Sequence, residues 1–135
     1  MNKIAALCSY LINLNLFAAE QMDSFVDDMT VIPALRPSGV FGQIVVCEND
    51  YTAVFFIERY PHKDKPVTQL LAHISQWLMQ HDSERLTYEY PITVFVLDDN
   101  TADLEIKISF REKVTATANQ NGDLLIKGVR YSVDG

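Results

Sequence analysis

Between Leu104 and Arg111 apolar and polar side chains alternate without a break. Leu104, Ile106, Ile108 and Phe110 fall on one face, and Glu105, Lys107, Ser109 and Arg111 on the other, the pattern of a strand with one wet side. Just upstream, Pro91 to Leu97 is apolar on both alternating faces and rich in β-branched and aromatic residues, which predicts a central strand covered on both faces. Asp98-Asp99-Asn100-Thr101-Ala102 between them is a run of residues that bond their own backbone in turns. The stretch Tyr90 to Thr117 therefore reads as a long antiparallel hairpin, around which the other elements arrange themselves.

The spacing of Ile4, Leu7, Cys8, Leu11 and Ile12 predicts an amphipathic helix from an N-cap at Asn2 to Asn13 or Asn15. Phe17 to Gln21 either prolongs this helix or begins a second turn of it. Ser24 to Ile32 reads as a strand or a frayed helix, with a strand late in the segment preferred, and Pro33 and Pro37 are expected to stop it, leaving Arg36-Pro37-Ser38-Gly39 as loop. Phe41 to Cys47 and Tyr51 to Tyr60 are two β-rich runs, with Glu48-Asn49-Asp50 as the hairpin connection between them. Val54-Phe55-Phe56-Ile57 is apolar on both faces and is expected to neighbour Ile92 to Leu97. The clearest helix runs from Pro66 to His81, with Asp64 as N-cap; Val67, Leu70, Leu71, Ile74, Trp77 and Leu78 form its apolar stripe, and Gln69, His73, Gln76 and Gln80 its polar one. Asp82-Ser83-Glu84-Arg85 is a break, and Leu86 to Tyr90 leads into the hairpin. Asn121-Gly122 predicts a tight turn returning through Leu124 to Val133. The sum is one α+β domain over residues 1–135, with a mostly antiparallel or mixed sheet of about five to six strands and two helices on one face.

Composition is ordinary for a globular chain of 135 residues, 48% hydrophobic and 21% charged. The net charge of −7 changes the picture more. Lys63, Lys65, Arg111, Lys113, Lys127 and Arg130 are scattered among acids, so no basic footprint exists for a phosphate backbone, and direct nucleic-acid binding is disfavoured. The segment Ile4 to Phe17 has the apolar character of a signal peptide, but Asn13 and Asn15 interrupt it, and a cytoplasmic helix is the stronger reading. No stretch approaches the length of a membrane span. Cys8 and Cys47 lie far apart in apolar runs and read as small buried hydrophobes in a reducing compartment rather than a disulfide or metal ligands.

Candidate chemistry is sparse. His62, His73 and His81 form no metal-ligand pair. Asp98, Asp99 and Asp103 with Asn100 lack the glycine and the terminal glutamate of a calcium loop, so turn chemistry outweighs a metal-assisted hydrolase. The five glycines compose no nucleophile elbow, phosphate loop or dinucleotide fingerprint. Tyr51, Phe55, Phe56, Tyr60, Tyr88, Tyr90, Phe95 and Phe110 have apolar or acidic neighbours, which favours packing over base stacking. No enzyme, metal or cofactor is expected.

The wording of the hairpin carries more. Ile92-Thr93-Val94-Phe95-Val96-Leu97-Asp98-Asp99-Asn100-Thr101-Ala102-Asp103-Leu104-Glu105-Ile106-Lys107-Ile108, followed by Arg111-Glu112-Lys113-Val114, resembles the C-terminal half of the tail completion (R) proteins of P-two-like contractile-tailed bacteriophages. Leu70-Leu71-Ala72-His73-Ile74-Ser75-Gln76-Trp77-Leu78 is similar to that family's helix, and Tyr51 to Arg59 to its long preceding strand; the resemblance covers roughly Phe25 to Thr117. It implies a virion structural protein at the head-proximal end of the tail, made in the bacterial host cytoplasm and then built into the virion. It also implies a ring of copies, usually six-fold, in contact with tail tube or sheath and with neck proteins, without nucleic acid or membrane. Two surfaces are then needed: a heterologous contact that closes the ring, and a face that docks on the tail. Strand edges within Phe41–Tyr60 or Leu124–Val133 are candidates for the first, and Glu58, Arg59, Arg111, Glu112 and Lys113 for fixing its register by charge. The alternative is a non-enzymatic, prophage-encoded cytosolic adaptor or regulator that binds a single protein partner.

Overall fold

The computed structural model describes residues 2–82 and 89–135. The elements are α1 (Asn2–Asn13), a 3-10 turn (Ala19–Gln21), β1 (Met22–Pro37), β2 (Gln43–Tyr60), α2 (Val67–His81), β3 (Ile92–Val96), β4 (Ala102–Ala118), β5 (Leu124–Ile126) and β6 (Val129–Val133). The fold is α+β. Its six strands form one sheet in the order β1-β2-β4-β6-β5, with β3 paired to β4 off that path. The expected break at Asp82–Arg85 and the lead-in from Leu86, with Tyr88, fall outside the described residues except at Asp82, Glu89 and Tyr90.

Contacts divide the chain into two compact units, Met1–Asp28 with Tyr51–Phe110, and Met29–Asp50 with Arg111–Gly135. The first holds the helices and the core. On β2, Tyr51, Ala53, Phe55 and Ile57 turn inward, and on β4 Ala102, Leu104, Ile106, Ile108 and Phe110 do the same, as strand alternation requires. Leu7 and Leu11 of α1 and Leu70, Ile74, Trp77 and Leu78 of α2 close over that face. Alternation along β2 would send Arg59 inward next. Instead Arg59 sits at φ 52 and resets the phase, so that it is Tyr60 that is buried. The kink is tied down by Gln21, whose Nε2 donates to the carbonyls of Glu58 and Arg59, and by Asp103, whose Oδ1 accepts the Arg59 N–H at 2.9 Å.

The second unit contains strand segments and no helix. Its few fully buried side chains include Val45 and Ala116, and polar networks do much of the tying. Arg111 holds Asp50 in a fork, Nε to Oδ1 at 2.5 Å and Nη2 to Oδ2 at 2.7 Å, and reaches Glu48 at 3.6 Å, while Arg36 bonds Glu48 from β1. Asp134 accepts from Thr115, Thr117 and Gln43.

Several sequence expectations are corrected. Glu48-Asn49-Asp50 is not a hairpin; β2 runs straight through it, because Glu48 and Asp50 share a face and both carboxylates are met by arginines. Pro33 does not stop β1, which begins earlier than expected and runs on to end at Pro37. Strand order puts β1 at the edge of the sheet, the position in which a strand can carry a residue that donates no N–H. Residues 91–97 do not form a central strand, nor do they neighbour β2: β2 lies between β1 and β4, and among the described residues β3 pairs only with β4. Pro66, not Asp64, occupies the N-cap position of α2, with no side-chain cap. The return from Asn121-Gly122 is not one strand either. Lys127 (φ 48) and Gly128 (φ 80) make the two-residue turn that splits it into β5 and β6, and it is β6 that pairs with β4.

Candidate assembly surfaces

Each histidine has a structural partner. His62 Nε2 meets the Asp98 carbonyl, His73 Nδ1 the Tyr10 hydroxyl, and His81 Nδ1 the Trp77 carbonyl. The acidic turn is likewise occupied with its own backbone. Asp98 Oδ1 accepts from the N–H groups of Asn100 and Thr101 and from the Thr101 hydroxyl, bonds that hold its carboxyl below the usual range. Asp103 is spent on Arg59. Among the described residues no three metal-ligating side chains cluster, and no helix is long and apolar enough to cross a membrane.

What the molecule offers instead is apolar surface. In the first unit it lies on β3. The antiparallel register with β4, Ile92↔Ile106 through Val96↔Ala102, is flanked by bonds from Lys107 N–H to the Pro91 carbonyl and from Leu97 N–H to the Thr101 carbonyl. Alternation then turns the backbone groups of Thr93 and Phe95 toward β4 and those of Ile92, Val94 and Val96 to the open side. Side chains are exposed on both faces of this edge: Val94 and Val96 on the core side, Phe95 and Leu97 on the other, with Val96 68% accessible. Among the described residues no strand covers this edge, and an apolar edge of that kind is one that natural monomers shield.

In the second unit, whose strand segments bring no helical layer of their own, Leu35, Val40, Phe41, Leu125, Val129 and Val133 are exposed. A sheet normally buries one face against another layer, and contiguous exposed apolar surface marks interaction sites. Beneath the β1–β2 loop, Leu35, Val40, Ile44, Ile126, Val129 and Tyr131 line a groove of about 370 Å³.

The charged residues expected at an interface are divided by the fold. Glu58 and Arg59 are exposed at the kink of β2 in the first unit; Arg111, Glu112 and Lys113 belong to the second. Arg111 is committed to Asp50 and Glu48, and those partners raise its pKa, the Asp50 bond first; Lys113 is exposed. Of the two regions expected to supply open edges, Leu124–Val133 does so through β5, whereas β2 is internal. The open edge of β3 escaped the sequence reading because two-sided apolarity looks the same on a central strand and on a strand waiting for a partner.

Comparison with known families supplies what these surfaces alone do not. A sequence model of the P2 phage tail completion protein R (GpR) matches residues 1–134, and the chain belongs to that family. A relative, an uncharacterized 19.2 kDa protein from the rep-hol intergenic region of Haemophilus phage HP1 (strain HP1c1), is 38% identical over 94 residues, which is 67% of this chain and 57% of the relative. No solved structure matches the chain.

Proposed function

We propose that the chain is a structural protein of a phage or prophage tail that completes the tail at its head-proximal end, as a closed ring of about six copies, and presents a face to the neck. The observation that carries the reading is the match of the tail completion family over residues 1–134. The open edge of β3 and the uncovered apolar surface of the second unit support it, since both need a protein partner to leave water. Copies fold in the host cytoplasm and enter the virion with the tail, touching tube or sheath on one side and neck proteins on the other. Glu58, Arg59, Glu112 and Lys113 set the register between copies, and Arg111 acts from within its ion network. No catalytic step is involved.

Absolute mass by light scattering over a concentration series, with negative-stain images of the largest species, tests the ring. Closed rings of uniform copy number are expected. A single copy bound one-to-one to one protein, in solution and on tails alike, contradicts the reading and favours the adaptor.

A further inference from the structure

Among the described residues, one face of the first unit's sheet carries no helix. Both helices close over the side of Tyr51, Phe55, Leu104 and Ile108, and strand alternation turns the intervening residues to the opposite side. β1 divides in the same way. Met22 is buried, Val26 packs on the core and Ser24 Oγ reaches Cys8 Sγ of α1 at 3.7 Å, so Asp23, Phe25 and Asp27 face away from the helices. Across β1, β2 and β3 that outer side presents one aromatic ring per strand: Phe25 and Phe95, each about half exposed, and the half-buried Phe56. A sheet face that bears such side chains is normally covered by another layer.

The charge on this face selects what can cover it. Thirteen acidic and six basic residues belong to the first unit, so the whole net charge of −7 lies there, while the second unit has five of each and is neutral. Alternation places Asp23 and Asp27 of β1 and Asp103 and Glu105 of β4 on the same side as the rings. Lys107 is the single ammonium that alternation brings there among the described residues, and its Nζ lies 3.8 Å from Glu105 Oε1. Glu58 and Arg59, at the kink of β2, offset each other. Such a face repels a phosphate backbone, an anionic lipid surface and the same face of a second copy alike. The neutral second unit gives a copy no cationic body to set against it. Rings among carboxylates suit a guanidinium, which stacks on an aromatic face while its N–H groups reach the acids.

We infer that the bare face of the first unit docks an arginine- and lysine-rich surface of a different tail or neck protein. Asp23, Asp27 and Glu105 take its cations, and Phe25 and Phe95 its apolar side-chain stems. The inference rests on the tail-completion reading and adds the chemistry of the partner surface; contacts between copies fall to other parts of the chain.

The test adds the purified full-length chain to tails assembled in cells that lack it, and measures binding by co-sedimentation. Binding that weakens as salt is raised is expected. A carbodiimide, which joins a carboxylate to an amine in direct contact, should link residues 23–27 or 103–105 to a lysine of a different protein. Asp23→Lys combined with Asp27→Lys should weaken binding by about tenfold or more, and Asp23→Asn combined with Asp27→Asn should weaken it less. Asp123→Lys makes the same change in net charge as the asparagine pair, but in the second unit, and should leave binding unmoved. All three aspartates are exposed, so the variants should melt with the wild type. Undiminished binding by both Asp23/Asp27 variants, an equal loss with Asp123→Lys, or carboxylates of this face linked to a second copy overturns the inference and leaves tail completion standing. A wild-type chain that binds the deficient tails at no salt concentration overturns both.

Discussion

Replacing Tyr60 by Phe should make the protein more stable. The side chain is wholly buried at the end of β2, its ring centroid 6.3 Å from that of Phe17, and its hydroxyl has no hydrogen-bond partner among the described residues. In the unfolded chain that hydroxyl is hydrated, so folding strips it of water without return, a cost of about 1–3 kcal/mol. Phe keeps the ring, its packing against Phe17 and the inward phase set by Arg59, and removes only the stripped group. Taking the lower end of the range, the gain is about 1 kcal/mol, or a rise of about 3–5 °C in melting temperature for a chain of this size. Calorimetry at pH 7 measures it. Alkaline pH gives a second reading. Burial raises the Tyr60 pKa above its ordinary value of 10.0, so the folded state favours the protonated phenol. That preference costs nothing below pH 10 and erodes stability as pH rises above it, because the unfolded chain ionises first. The advantage of Phe should therefore widen on the alkaline side. A melting temperature lowered by several degrees would refute the reasoning, since it would mean that the hydroxyl is bonded in the folded protein.

Other predictions follow from the same geometry. Leu104→Ala removes a fully buried side chain beneath both helices and should cost about 2–5 kcal/mol in denaturant melts, whereas Leu125→Ala, at 62% exposure, should change stability by less than about 0.5 kcal/mol; similar costs for the two would place the core elsewhere. Asp98→Ala should flatten the acid limb of stability. The Asp98 carboxyl is held low by the N–H groups it caps, so its contribution is complete above the ordinary carboxylate value of about 3.9 and lost as pH falls through the lower folded value. Melting temperatures of wild type and variant should converge at the acid end, and a parallel pair of curves would deny the turn its charge.

Where sequence and structure agree, one physical rule sufficed. α1 and α2 are legible from a single helical stripe each, and β4 from alternation, because in those elements one face is buried and the other is wet. The turn at Asp98 is legible because its side chain makes the bonds itself. The misreadings come from partners that lie far off in sequence. Glu48 and Asp50 look like turn formers until Arg36 and Arg111 stand beside them. Pro33 looks like a stop until β1 proves to be an edge strand. The apolar run at 92–97 predicts burial, and it is exposed; if the chain assembles as proposed, that pattern describes a strand buried only by a neighbour. The charges Glu58, Arg59 and Arg111–Lys113 were visible as mixed clusters, but their division between two units, and the commitment of Arg111 to Asp50, depend on strand pairing.

The central claim is that copies of this chain close the head-proximal end of the tail. It is tested most directly by electron microscopy of purified tails that carry an affinity label at the C-terminus of the chain. Label confined to the head-proximal end, in a ring of uniform copy number, is the predicted result. Label spread along the tail, found at the distal end, or missing from completed virions would contradict the account.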